Sequence, residues 1–347
     1  MSFKRILLGV VLAGLIGGGI FAYIAYGTFF SPNTRFNSDE EFVFIPTDAS
    51  ESDLERVLSP LLNDFDAFKS AANGKGYLSN IKAGRYKLTK GMNNNEIVNS
   101  LRSGNLPVNV SFNNQENVND LAGRIAIQIE ADSSSLVAAF KDTEFLKSNG
   151  FNEDNLISPY IPNSYEFFWN TSATAFRDRM LKEYKRFWND ARIEKAKTLG
   201  LKPNEVIALA SIVHKETAKV DEQPTVAGVY LNRLKKGMLL QADPTVIYAI
   251  KKETGNFDTI IKRVLYKDLE MDSPYNTYKY AGLPPGPIAM PDITAIDAVL
   301  NPKKHNYYYF VANVEKFGYH MFAENLTQHN RNKEQYIRWI NAQKINR

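Results

Sequence analysis

The first feature of the hydrophobic pattern is an uncharged run. Lys4 and Arg5 precede twenty-five residues without a charge, Ile6 to Phe30. As a helix this run rises about 37 Å at ~1.5 Å per residue, enough to cross a bilayer with some tilt. A cleaved export signal ends in a small-x-small site, and Ala22 to Ala25 has the wrong spacing for one. Residues 1–30 are therefore expected to be an uncleaved anchor with a short cytoplasmic N-terminus. Lys4 and Arg5 stay inside, and everything after Ser31 lies outside. Tyr23 and Tyr26 suit the headgroup zone, and Gly17 to Gly19 offer a small-residue face.

Beyond the anchor the pattern alternates between strand and helix periods. Residues 31–41 read as a linker, and a small unit follows over residues 42–107. In it Phe42 to Ile45 and Ala83 to Leu88 are expected strands. Ser52 to Leu62 carries Leu54, Val57, Leu58 and Leu61 at helical spacing, and Asn94 to Ser103 is a helix stopped by Gly104. Residues 108–165 read as a strand, with Val108, Val110 and Phe112 on one face, and then amphipathic helices through Leu121, Ile125 and Ile129. From Ser172 a long helix is expected, with Phe176, Met180, Tyr184, Phe187 and Ala191 as its core stripe. The pattern describes an α+β chain: a transmembrane helix, a small α/β module and a larger, mostly helical domain.

Composition removes several chemistries. There is no cysteine among 347 residues, so disulfides, Cys-ligated zinc and thiol nucleophiles are excluded. The net charge of +4 is too dilute to mark a nucleic-acid binder. Four histidines without His-Glu-x-x-His spacing leave no metal-ligand motif, so no metal or other cofactor is expected.

The candidate chemistry begins at Pro203, which opens a helix with Val206, Leu209, Ala210 and Val213 on its buried face. Glu216 falls three residues after Val213 and seven after Leu209, so it projects along the apolar stripe, whereas His214 and Lys215 point to the sides. A carboxyl held against apolar neighbours keeps its proton to higher pH and can serve as a general acid. The same position also fits a solvated carboxylate at a fraying helix end. A second helix runs from Pro224 to Gly237 with Val226, Val229, Tyr230 and Leu234 inward, and Asn232 and Arg233 close its last turn. Arg233 suits the helix C-terminus, and Asp243 before Pro244 is a ready cap for the next helix. Gln241, Asp243 and Thr245, together with Ser273 to Tyr278 and the Gly282 to Pro287 loop, bring amides, hydroxyls and tyrosine faces together. Such a set suits a sugar chain.

The stretches Ala210 to Thr217, Ala227 to Leu234 and Gly237 to Tyr248 resemble the YceG-like endolytic murein transglycosylases. The resemblance extends through Ser273 to Tyr278, Gly282 to Ile288, Asn301 with Pro302, Tyr309 to Val311, His320 with Phe322, and His329 with Asn330. It implies a catalytic domain over residues 166–347, entered through Pro162 to Phe167, and makes the 42–107 unit similar to a LysM module. The family's catalytic Glu matches Glu216. One departure is His214, where the family usually has an acidic residue.

The resemblance further implies cleavage of the β-1,4 bond between N-acetylmuramic acid and N-acetylglucosamine within peptidoglycan strands, leaving 1,6-anhydro ends. Gln241, Asn276, Tyr278 and Tyr165 are then candidates for positioning sugars, with Asp243, Thr245 and Asn232 in the same substrate-binding set. Glu166 and Asp243 are the candidates for a second carboxylate. The expected setting is a bacterial inner membrane, with the catalytic domain periplasmic or otherwise outside the cytoplasm. Glycan strands are the partner, with peptidoglycan synthases beside them, and the chain would end growing strands. Two other readings share these residues: a muramidase that uses water, and an anchored wall-binding scaffold without catalysis.

Overall fold

The computed structural model describes residues 3–342 and divides the chain into two units. One comprises Met1–Val110, Ala126–Ala131 and Tyr165–Ser172; the other comprises Ser111–Ile125, Asp132–Ser164 and Ala173–Arg347.

In the first unit, α1 (Phe3–Phe30) is followed by β1 (Glu40–Ile45), α2 (Glu51–Leu58), α3 (Phe65–Gly74), β2 (Gly84–Thr89) and α4 (Asn94–Ser103). β1 and β2 pair antiparallel, Val43 opposite Tyr86 and Ile45 opposite Gly84. Their inward residues join Leu54, Leu58, Phe68, Ile97 and Leu101 in one core. Capping boxes from Ser50 and Asn93 start α2 and α4. Helix α3 has no counterpart in the hydrophobic pattern. Asp64 caps it, and it buries Phe68, Ala71 and Ala72, of which the alanines contribute little periodic signal.

The stretch expected as a linker is tied down. Buried Asn33 donates to the carbonyl of Asp64 and to Asn94 Oδ1, each at 2.7 Å, and accepts from the Asp64 N–H at 2.8 Å. Asn94 in turn donates to the Thr28 carbonyl at 2.7 Å, fastening the end of α1 to this unit. The remainder of α1 is exposed along its apolar length.

Strand β3 (Pro107–Phe112) pairs with β4 (Asn163–Phe168). The second unit contains all but the last residue of α5 (Val118–Ala126), and α6 (Ser133–Phe140), α7 (Thr143–Ser148), α8 (Ala173–Phe187), α9 (Asp190–Thr198), α10 (Pro203–Glu216), α11 (Gln223–Lys235), α12 (Asp243–Thr254) and α13 (Ile293–Leu300). It closes with the hairpin β5 (Tyr309–Ala312) and β6 (His320–Ala323) and with α14 (Leu326–Ala342). The long helix expected from Ser172 ends at Phe187. Asn189 accepts from the Arg192 N–H and caps a new helix, which leaves Ala191 exposed rather than in the core stripe.

Helix α10 is the centre of the unit. Every residue from Val206 to Val213 is buried, so it is enclosed all round, not along a single stripe as expected. Helices α9, α11, α12 and α13 pack against it. Buried Ser211 donates to the Ala208 carbonyl at 2.7 Å and accepts the Ile288 N–H at 3.0 Å, holding the proline-rich loop on α10. Gly286 in that loop lies so close to the Asp154 carbonyl that a Cβ would sit 1.9 Å from its oxygen, a position only glycine can fill.

Candidate active site

Glu216 is the last residue of α10, with Thr217 as the C-cap. The helix delivers its carboxyl to a cavity of about 190 Å³ lined by Tyr230 and Arg233 of α11, Leu240, Gln241, Asp243, Tyr278 and Phe310. Part of Glu216 remains open to this cavity, and protein surrounds the rest. Burial pushes its pKa up, and the neighbouring Asp243 charge adds to the rise. A hydrogen bond from Tyr230 and the charges of His320 and Arg233 oppose it, and the balance lies at about 7. The C-terminal end of a helix also disfavours a carboxylate.

Tyr230 donates its hydroxyl to Glu216 Oε1 at 2.6 Å. Burial keeps the phenol well above its ordinary pKa, so it remains a donor. With Oε1 fixed in this way, Oε2 is the oxygen left to carry and deliver a proton. A titration of isotopically labelled Glu216 should therefore show a midpoint near 7. Tyr230→Phe should raise that midpoint by about one unit, because the lost bond stabilises the carboxylate; an unchanged midpoint would contradict the coupling.

Asp243 opens α12 as its first residue, and Ala242 holds the cap position expected for Asp243. The Asp243 carboxylate accepts the Tyr278 hydroxyl at 2.5 Å instead. Gln241 has φ +49, the left-handed region that disfavours a side chain. Its N–H donates to the Thr277 carbonyl at 3.0 Å, and its Oε1 accepts from Arg233 at 3.4 Å. Its amide nitrogen is thereby directed away from Arg233.

Arg233 does more than complement a helix end. It is 7% exposed and donates to the carbonyls of Tyr308 at 2.6 Å, Leu240 at 2.8 Å and Leu239 at 3.2 Å. It thus joins α11 to the turn before Gln241 and to the strand that carries Phe310. At the other end of α11, buried Glu222 accepts the His320 backbone N–H at 2.7 Å and bonds its Nδ1 at 2.9 Å. Burial works against the Glu222 charge, but these bonds and one from Thr217 hold its carboxyl below the usual range. The His320 ring also meets the Phe310 ring edge to face at 5.0 Å.

Of the residues singled out in the sequence, Glu216, Gln241, Asp243 and Tyr278 line one cavity. Thr245, Asn276 and Asn232 stand behind its walls. Fully buried Thr245 bonds Thr277 Oγ1 at 2.8 Å and the Ala242 carbonyl at 2.7 Å. Asn276 donates to the carbonyls of Leu269 and Met271 and accepts the Tyr278 N–H at 3.0 Å, so it shapes the loop that presents Tyr278. Asn232 donates to the carbonyls of His305 and Tyr307. Tyr165 and Glu166 lie on β4 in the first unit, not among the residues that line the cavity. His214 faces Asp292 at 3.4 Å, and burial lowers its pKa.

Tyr230, Phe310 and the Glu222–His320 pair were not read as site residues from the sequence. Tyr230 fell on a core stripe, and the available signal was its hydroxyl, since a buried phenol needs a partner.

The segments that build this site fall within a stretch that is similar to known proteins. The model of the YceG-like family matches residues 43–335. An endolytic murein transglycosylase of Bacillus subtilis is 32% identical over 344 residues, covering 93% of this chain and 91% of the relative. One from Streptococcus pneumoniae is 38% identical over 141 residues, 41% of this chain and 25% of the relative. The crystal structure of a putative yceG-like protein of Listeria monocytogenes superposes with a TM-score of 0.57 at 28% identity, over 85% of this chain and 99% of that one. Since the family match takes in the small first unit from Val43 onward as well as every segment that walls the cavity, the chain belongs to the YceG-like family.

Proposed function

We propose that this chain is an endolytic murein transglycosylase, a lyase that cleaves the N-acetylmuramic acid to N-acetylglucosamine β-1,4 bond within glycan strands. The observation that carries the reading is Glu216: a carboxyl on the cavity wall, poised near neutrality, with one oxygen fixed by Tyr230. Protonated Glu216 donates to the glycosidic oxygen as the C1–O bond breaks. The C6 hydroxyl of the same muramic residue then bonds to C1 and returns its proton to Glu216. The result is a 1,6-anhydro ring, a free hydroxyl on the leaving sugar and the acid restored, with no water consumed. The nucleophile is held in the substrate itself, which supplies by proximity what a second carboxylate supplies in a glycosidase.

Positive charge develops at C1, and the Asp243 carboxylate in the same cavity is placed to stabilise it. The Phe310 ring offers an apolar face for a sugar. The same Asp243 supports a second reading, in which it activates water and the enzyme is a hydrolytic muramidase.

The anchor belongs to the proposal as well. Ile6–Phe30 crosses the inner membrane once, with Lys4 and Arg5 cytoplasmic and the catalytic unit outside. In that setting the LysM-like unit over residues 42–107 holds glycan, and the enzyme acts beside synthases to end nascent strands. Mass analysis of fragments released from uncrosslinked peptidoglycan tests the chemistry. The expected end group is 1,6-anhydro-N-acetylmuramic acid; a reducing end transfers the case to the muramidase, and no fragment at all to a scaffold.

A further inference from the structure

A second concavity, about 320 Å³, is lined by residues that adjoin in sequence those of the catalytic cavity. Lys215 precedes Glu216 on one wall, and Pro244 follows Asp243 on the other. Lys215 donates to Glu116 Oε1 at 2.6 Å and Lys251 to Glu116 Oε2 at 2.7 Å. One carboxylate therefore holds two ammonium groups side by side, with a net charge of +1. Each ammonium has three protons to donate and gives one to Glu116. Burying the Lys251–Glu116 half of this cluster is costly when it serves only as a structural tie: their side chains are 12% and 23% exposed, while Lys215 at 32% reaches solvent.

The other walls are mostly apolar. Ile247 and Tyr248 come from α12, and Phe257 is held against Tyr248 with ring centroids 5.8 Å apart. Asp258, next to Phe257, brings a carboxylate to the same lining. A ligand that fits this set has a carboxylate for the lysine pair, short aliphatic groups for the walls and an amine for Asp258. Phosphate groups satisfy only the first of these.

We infer that this groove binds the free carboxylate of the short peptide carried by a muramic residue, so the enzyme reads the peptide next to the bond it cuts. The inference rests on murein being the substrate, but its test involves no turnover. Calorimetry on the full chain in detergent would compare a synthetic N-acetylmuramyl tetrapeptide bearing free carboxylates with its fully amidated counterpart. The acid form should bind about tenfold more tightly, the effect of one charged hydrogen bond. Lys251→Met should erase the difference, and the more exposed Lys215→Met should reduce it should the first variant fold poorly. Equal affinity for the two peptides, a preference that survives in both variants, or tighter binding of inorganic phosphate than of the peptide would overturn the inference. A missing peptide preference leaves the anhydro product untouched, and a reducing-end product leaves the peptide preference untouched.

Discussion

Glu216→Gln should release no 1,6-anhydro fragments from uncrosslinked peptidoglycan, with kcat reduced at least ~10³-fold. The amide can neither donate the proton that frees the leaving oxygen nor recover one from the C6 hydroxyl. General acid–base catalysis alone contributes about 10²–10⁴-fold, and in the proposed mechanism one group performs both halves. Binding of glycan should survive, because Gln keeps the volume and an oxygen that can accept from Tyr230. The variant also carries a signature unrelated to activity. The folded pKa of Glu216, about 7, lies above the ordinary carboxylate value of 4.5. The folded state therefore binds this proton more tightly than the unfolded state, and stability is lost as pH rises from the ordinary range through about 7. Gln has no proton to lose, so the variant should melt higher than the parent at pH 8 and show little such gain at pH 4. For a unit of this size each kcal/mol corresponds to about 2–4 °C in Tm. Full activity, or a melting difference independent of pH, would remove Glu216 from the role.

Parts of this site are legible in the sequence because local rules act there. Pro203 starts α10 and the apolar spacing carries through to Glu216, so the position of the acid follows from helix geometry. Asn94–Ser103 is legible for the same reason, with a capping box at one end and Gly104 at the other. The cluster of Gln241, Asp243 and Tyr278 is readable as polar chemistry, yet its division is not. Thr245 and Asn276 have the same composition as ligand groups but hydrogen-bond to buried hydroxyls and carbonyls that no pattern announces. The break between α8 and α9 turns on a single Asn189 side chain inside a run that otherwise keeps helical spacing. Tyr230 is fourteen residues from Glu216 on another helix, a separation with no periodic meaning until α10 and α11 pack together.

Arg233 is the extreme case of such invisibility, and Arg233→Lys should be the most damaging conservative change in the site. Its partners are three backbone carbonyls and the side-chain oxygen of Gln241, and backbone acceptors carry no sequence signature. A planar guanidinium reaches them in a fixed fork; an ammonium on a flexible stem satisfies one or two and leaves the others buried without a donor. Each abandoned group costs about 1–3 kcal/mol, so a loss of ~2–4 kcal/mol in unfolding free energy is expected. The catalytic effect arises from what the carbonyls hold. Leu239 and Leu240 lead directly into Gln241, whose φ of +49 persists only while its surroundings enforce it. When that turn relaxes, Gln241 leaves the cavity and Asp243, two residues on, loses its register with Tyr278. The guanidinium charge also helps keep the pKa of Glu216 down to about 7. Lys is also cationic, so a purely electrostatic role would leave kcat in Arg233→Lys near that of the parent. A positioning role predicts kcat lowered about 10²-fold by sub-ångström misplacement, with the Glu216 titration midpoint almost unmoved. Measuring kcat and that midpoint on the same variant separates the two: an unmoved midpoint with intact kcat would make Arg233 an electrostatic group, and an unmoved midpoint with kcat lowered makes it the residue that holds the cavity wall in place.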